Sequence, residues 1–311
     1  MVAKRLRLLA RYITLIPALF LAGCSSQGLA RQFVLFRPAG PLANVDFRFT
    51  ILDVAVMLGI IIPTTIMTIF FLLRYRKTNT KAVYDPKWSH SNFIEFVVWT
   101  IPILTVAMLG YYSYQGTFAV NPYNPRLIDR SAGGKKAPRP LDVDVITTDW
   151  QWLFIYPKQH IATANELVIP VGTPVHFHLT SATVVNDFYI PKLAGMIDIM
   201  PGMRTKQVLL ANKMGLYQGY SANFSGGGFS WMGFKTKVVG QNKFQTWAEQ
   251  VAKSPQTLNY AGFNTFAKPY KNVDGKTDQF SHVSAGLFDR VIKAVTMGKV
   301  YKTPLPTYGK A

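Results

Sequence analysis

Apolar residues fall first in two long, nearly unbroken runs and then in short alternating ones, and this change of period divides the chain. Residues 51–73 form a run of 23 with one ionisable group, Asp53. At 1.5 Å per residue such a helix is roughly 34 Å long, enough to cross a ~30 Å hydrocarbon core with some tilt. Pro63 predicts a kink within it. A second run covers residues 93–113, with Glu95 near its start and Pro102 inside it. Beyond residue 140 the period shortens to two. In Leu141-Asp142-Val143-Asp144-Val145 apolar and acidic residues alternate, as a half-buried strand requires. Further short runs (TTDWQWLFIYP, VHFHLTS, TKQVLLA, FKTKVVG) follow, most separated by Gly or Pro. They predict an antiparallel sandwich or barrel over residues 141–240. The texture changes again after 240, where FQTWAEQVAKS and SHVSAGLFDRVIKAVTMG predict helices, so residues 241–311 read as a helical, aromatic-rich tail. Residues 115–140, rich in Pro, Gly and Lys, read as a linker.

Charge orients the two apolar runs. Residues 74–92 hold Arg74, Arg76, Lys77, Lys81 and Lys87 against the single acid Asp85. The positive-inside rule makes this loop cytoplasmic, which places residues 24–48 and everything after about 115 on the exported side. The region 49–114 is then a hairpin of two transmembrane helices. Tyr111, Tyr112 and Tyr114 at one end, with Trp88 at the other, fit interfacial aromatic belts. Asp53 lies near the outer end of its run and reads as a snorkelling or capping residue.

The N-terminus supports export. Lys4, Arg5, Arg7 and Arg11 precede an apolar stretch from Ile13 to Leu21, followed by Leu21-Ala22-Gly23-Cys24. Charged, apolar and small-residue regions appear in the order of a signal peptide, here residues 1–23. A cysteine after Leu-Ala-Gly is the bacterial lipobox pattern, which predicts a diacylglycerol lipid on Cys24. The chain therefore reads as a two-pass lipoprotein of the bacterial inner membrane, with its N-terminus and C-terminal domain in the periplasm. Cys24 is the only cysteine among 311 residues, so the remainder has none for a disulfide, a nucleophile or a thiolate metal site. Taking the four leader charges from the formal +19 leaves +15. Such a balance suits lipid head groups and partner subunits. A nucleic-acid partner is excluded by the exported topology.

Lipobox, helical hairpin and exported β-domain together resemble subunit II of the haem–copper respiratory oxidases, whose exported domain is a cupredoxin sandwich. Members that oxidise cytochrome c carry a dinuclear copper centre there, with ligands from segments reading roughly S-x-D-V-x-H-S-W-x-x-P and C-x-E-x-C-x-x-x-H-x-x-M. In this chain Ser181 to Pro191 (SATVVNDFYIP) keeps the first frame, with Asn186 at the histidine position. Ser221 to Met232 (SANFSGGGFSWM) keeps the second. Ser221 and Ser225 stand for the cysteines, Asn223 for the glutamate and Phe229 for the histidine, while Met232 alone is retained. Copper of this kind needs soft thiolate and imidazole donors, so none is expected to bind. The pattern is similar to the quinol-oxidising branch, particularly subunit II of the cytochrome bo-type ubiquinol oxidases.

That resemblance implies a non-redox subunit of a proton-pumping quinol oxidase. The haems and copper are expected in partner subunit I, subunits III and IV are further partners, and quinol is met through subunit I. It also implies that Glu95, in the segment WSHSNFIEFVVWTIP, lines the point where protons enter subunit I. Trp152 corresponds to a tryptophan that admits electrons in the copper-bearing relatives; without copper, a core or subunit-contact role is expected. His176 and His178, two apart on one predicted strand, share a face but lack an evident third ligand. Two other readings compete: a copper-bearing cytochrome c oxidase subunit, disfavoured by one cysteine in place of two, and a free-standing cupredoxin-like lipoprotein or copper chaperone.

Overall fold

The structure is a computed structural model that describes residues 37–83, 85, 87–131 and 138–301. Cys24 and the leader lie outside the described residues. The chain divides into two compact units, residues 45–121 and the remainder.

In the first unit, helix α1 spans Pro41–Arg74 and helix α2 spans Asn92–Ala119. Both are long and apolar enough to cross a membrane. At 1.5 Å per residue they are about 51 and 42 Å long. Their apolar side chains are largely exposed, Ile66, Leu72, Phe93 and Val106 among them, as surfaces meant for lipid or another protein are. Threonine hydroxyls return to their own helices: Thr64 donates to Ile60 O (2.7 Å), Thr68 to Thr64 O (2.8 Å) and Thr105 to Ile101 O (2.9 Å). In hydrocarbon a polar group needs such an internal partner. The helices meet closely where Gly116 faces the Phe49 ring. A Cβ at Gly116 would stand 3.1 Å from that ring, so the missing side chain sets the approach.

Helix α1 begins ten residues before the apolar run that predicts it, and the reason lies in the other unit. Leu42 and Ala43 are buried there, and the preceding Ala39 donates to Lys192 O (2.7 Å) and accepts from Asn212 N (2.8 Å). Helix α2 likewise continues to Ala119, past the expected boundary. Within the stretch read as linker, Pro125–Ser131 forms a short helix, α3, whose Ile128 is fully buried.

The second unit is a two-sheet sandwich. Its strands are β1 (Leu141–Thr147), β2 (Trp152–Tyr156), β3 (Ile161–Ala164), β4 (Glu166–Pro170), β5 (Val175–Ser181), β6 (Asn186–Ile190), β7 (Ala194–Ile199), β8 (Thr205–Leu209), β9 (Gly215–Tyr220) and β10 (Gly233–Val239). One sheet has the order β12 (Asp278–Phe280), β3, β2, β1, β5, β8 and the other β4-β10-β9-β6-β7. β1 pairs with β5 in parallel, as β10 does with β4, and the remaining pairs in the two sheets are antiparallel. Between the sheets lies an aromatic core. The Phe188 and Phe234 rings stack at 5.4 Å, and Trp152, Phe154 and Phe177 pack around them at 4.8–5.7 Å. Large rings at these distances contribute both burial and favourable ring geometry.

The C-terminal segment is more than a helical tail. Helices α4 (Gln241–Val251), α5 (Tyr260–Phe266) and α6 (Leu287–Thr296) alternate with short strands β11 (Thr257–Leu258), β12 (Asp278–Phe280) and β13 (His282–Val283). β12 adds an edge to the six-stranded sheet by pairing with β3. Beneath the helices Phe263, Leu287, Phe288 and Val291 form a second core against Ile146, Leu153 and Ile155 of the sheet. The segment thereby covers an apolar sheet face that would otherwise meet water.

Candidate functional site

Two short segments converge at one end of the sandwich. Asn186 opens strand β6, and Ser221 follows strand β9 at the start of the loop 221–232. Asn186 is fully buried. Its amide donates to Thr147 Oγ1 and Val184 O, both at 3.2 Å. The Ser221 hydroxyl points to Asn186 Oδ1 (3.4 Å) and Asn223 O (3.2 Å), and accepts from the Asp187 amide (3.1 Å). Asn223 donates to Val185 O at 3.0 Å. Ser225 donates to Met232 Sδ at 3.8 Å, and the Ser221 amide reaches Met232 O at 3.4 Å.

Five of the six positions singled out in the two frames are thus joined directly or through one backbone group. Phe229 stands apart, on a 3-10 turn (Phe229–Trp231), with its ring edge-on to Phe224 at 5.6 Å. The chemistry of this cluster is hydroxyl, amide and thioether. Asn186, Ser221, Asn223 and Ser225 each donate a side-chain hydrogen within the protein, and neither amide nor hydroxyl is a soft anionic donor. The residues do not fit a dinuclear copper centre. Among the described residues, no group of three or more His, Cys, Asp or Glu could hold a metal ion.

The loop is closed by tryptophan. Trp152 is wholly within the core, where its indole donates to Met232 O at 3.2 Å. The ring lying on the loop is that of Trp150, which donates to Ser225 O at 3.0 Å. A Cβ at Gly228 would stand 2.1 Å from this indole, so only glycine permits the contact. Trp150 has a φ of 79° and precedes β2, so it sits in a turn where the face-sharing rule for residues two apart does not hold. Sequence reasoning singled out Trp152 and missed Trp150. The available signal was the glycine triplet, which needs a bulky neighbour to pack against.

A second missed feature is carboxyl. Asp187 on β6 faces Asp198 on β7 in register. Burial first, and then the hydrogen bond and like charge of Asp198, push the Asp187 carboxyl up to about 6. His176 and His178 lie on β5 beside Asp142 and Asp144 of β1, with His178 Nδ1 3.1 Å and His176 Nδ1 3.9 Å from the respective carboxylates. Each imidazole therefore has a carboxylate partner, an arrangement that orients the rings on the sheet.

Glu95 lies in the first turn of α2, with its amide bonded to Ser91 O at 2.9 Å. A carboxylate is favoured there by the helix dipole. Phe93, Ile94, Val97 and Val98 line one side of α2. At 100° per residue Glu95 projects roughly 130° away from the middle of that side. Its side chain is exposed.

Comparison with known proteins identifies the family. The family described as cytochrome c oxidase subunit II, periplasmic domain, matches residues 141–239. The chain is 39% identical over 282 residues to the cytochrome bo(3) ubiquinol oxidase subunit 2 of Pseudomonas aeruginosa, covering 91% of this chain and 80% of that one. It is 40% identical over 297 residues to the ubiquinol oxidase subunit 2 of Acetobacter aceti, covering 96% and 92%. Against the cytochrome bo(3) ubiquinol oxidase subunit 2 of Buchnera aphidicola subsp. Baizongia pistaciae it is 42% identical over 260 residues, covering 83% and 87%.

Proposed function

From its membership of the ubiquinol oxidase subunit 2 family, we propose that this chain is the metal-free exported scaffold of its oxidase and a contributor to proton uptake. It is a two-pass membrane subunit of an oxidoreductase complex that oxidises quinol. The observation that carries the scaffold reading is the hydrogen-bonded cluster of Asn186, Ser221, Asn223, Ser225 and Met232. Where a redox metal would need thiolate and imidazole donors, the loops are tied together by amide and hydroxyl groups. A metal-free fold of this kind passes no electrons, which suits an enzyme whose donor reaches it through the membrane.

The haems and copper of the complex then belong to subunit I, with subunits III and IV completing the assembly. The basic loop is cytoplasmic, the sandwich periplasmic, and Cys24 carries a diacylglycerol lipid. Glu95 is the proton-uptake residue. An ionisable group on a membrane helix is costly unless it faces protein or water, and its direction away from the α1-facing side of α2 leaves it open to a partner subunit. Pull-down through this chain tests the reading: haem spectra and quinol-driven oxygen uptake are expected in the captured material. A chain that purifies alone, without haem or oxidase activity, would overturn it.

A further inference from the structure

Three exposed methionines come together where the turn after β7 packs on the end of helix α6. Met200-Pro201-Gly202-Met203 is a tight turn: Met203 N donates to Met200 O at 3.3 Å, and Gly202 has a φ of 71°. Proline second and a left-handed glycine third are what a type II turn requires, and the end residues of such a turn stand less than about 7 Å apart at Cα. Met200 and Met203 therefore leave the backbone as neighbours.

The turn is fixed to α6 at two points. The Thr296 hydroxyl lies 3.4 Å from Gly202 O, and a Cβ at Gly202 would stand 3.2 Å from that hydroxyl and 3.5 Å from the Val295 side chain. Beyond the turn, Arg204 pairs with Asp289 and lies over the Phe288 ring at 5.3 Å. Met297 follows Thr296, so its Cα is about 3.8 Å from that of a residue touching the turn. Met200, Met203 and Met297 are 39%, 56% and 74% exposed, against 1% for Met232, so these three thioethers are open to solvent.

We propose that Met200, Met203 and Met297 form a surface site for one soft monovalent cation, Cu⁺ in particular. Thioethers are soft, uncharged donors and select Cu⁺ over harder divalent ions. The flexible methionine side chain lets three sulfurs converge once their backbones are held together. Cationic side chains beside the site are engaged elsewhere: Arg204 by Asp289, and Lys299 by Tyr260 (3.2 Å) and Asn264 (2.6 Å). Met297 is the C-cap of α6, where the negative end of the helix dipole favours a cation. Binding changes no oxidation state. Neutral, exposed donors hold the ion reversibly and yield it to a strong chelator. The Asn186 cluster is a different set of residues and stays metal-free.

NMR of the full chain in detergent, with isotope-labelled methionine methyl groups, tests this by titration with Ag⁺ as a redox-inert probe and with Cu⁺ kept reduced in the absence of oxygen. The methyl signals of Met200, Met203 and Met297 are expected to shift together and to saturate at one ion per chain. Met196, about 13 Å from Met200 along the extended chain, and the exposed Met214 are expected to stay unmoved. Zn²⁺ is expected to shift none of the three. Met203→Leu with Met297→Leu keeps side-chain volume while removing two sulfurs, and is expected to weaken Ag⁺ binding at least tenfold. Met196→Leu is expected to leave it unchanged. Parallel shifts of all exposed methionines, an unchanged affinity in the double variant, or no shift with Ag⁺ would overturn the proposal. Copper retained after dialysis against a strong chelator reports separately on the metal-free reading of the 221–232 loop.

Discussion

Ser221 and Asn186 meet through side chains, hydroxyl to amide oxygen at 3.4 Å, at the position where two loops of the sandwich close on one another. The contact lies inside a buried polar cluster, where an unsatisfied group costs more than a made bond returns. Asn186→Ala should therefore destabilise the protein by about 1–3 kcal/mol. It leaves Ser221 without its Asn186 partner and strips a donor from Thr147 and Val184. Chemical unfolding of the purified full chain checks this, and a change under about 0.5 kcal/mol would show the cluster to be incidental.

Trp150 should matter to the loop out of proportion to its contact with the core. Trp150→Ala removes the ring against which Gly226 and Gly228 pack, and the loss is expected to be about 3 kcal/mol. Gly228→Ala attacks the same contact from the other side, since its Cβ would meet the indole at 2.1 Å. Limited proteolysis should cut the 221–232 loop faster in both variants. Equal cutting rates would mean the loop is held by other groups.

The Asp187–Asp198 pair gives the exported unit a pH dependence of known sign. With the native Asp187 carboxyl raised to about 6 from an ordinary 3.8, the native state holds the extra proton. Its contribution is complete below about pH 4 and is lost as pH rises through 6. Because Asp187 is half-exposed, solvent screening keeps the effect to about 1 kcal/mol or less. Thermal melts at pH 4.5 and 7.5 check it. The stability of the unaltered protein relative to Asp187→Asn should fall between those values, and a constant difference would contradict the pairing.

Glu95→Gln should slow quinol-driven oxygen uptake several-fold while haem content stays normal. A general contribution of proton transfer to rate is about 10²–10⁴-fold, but a residue at an uptake mouth is partly bypassed by solvent. Stopped oxygen-electrode assays beside haem spectra distinguish this from failed assembly. Normal turnover with normal haem would remove Glu95 from the proton path.

Long, strongly periodic features were legible in the chain and local geometry was not. The 23-residue apolar run could only be a spanning helix, yet its true start at Pro41 depends on Leu42 and Ala43 finding a burial site in the β-unit. Likewise β12 has only three residues, Asp-Gln-Phe, too few to show a period, and exists because β3 offers an open edge. The copper-ligand positions were readable because their spacing is fixed along the chain. Trp150 was not, because its place on the loop follows from a positive φ in a turn, which no alternation of residue types announces. The pairing of Asp187 with Asp198 needed the register of β6 on β7, and that is set by packing.

The most direct measurement is the copper content of the full chain in detergent, after incubation with Cu²⁺ and dialysis against a strong chelator. A hydroxyl, amide and thioether cluster should retain less than about 0.1 copper per chain. Two copper ions held per chain through that dialysis would contradict the metal-free scaffold outright.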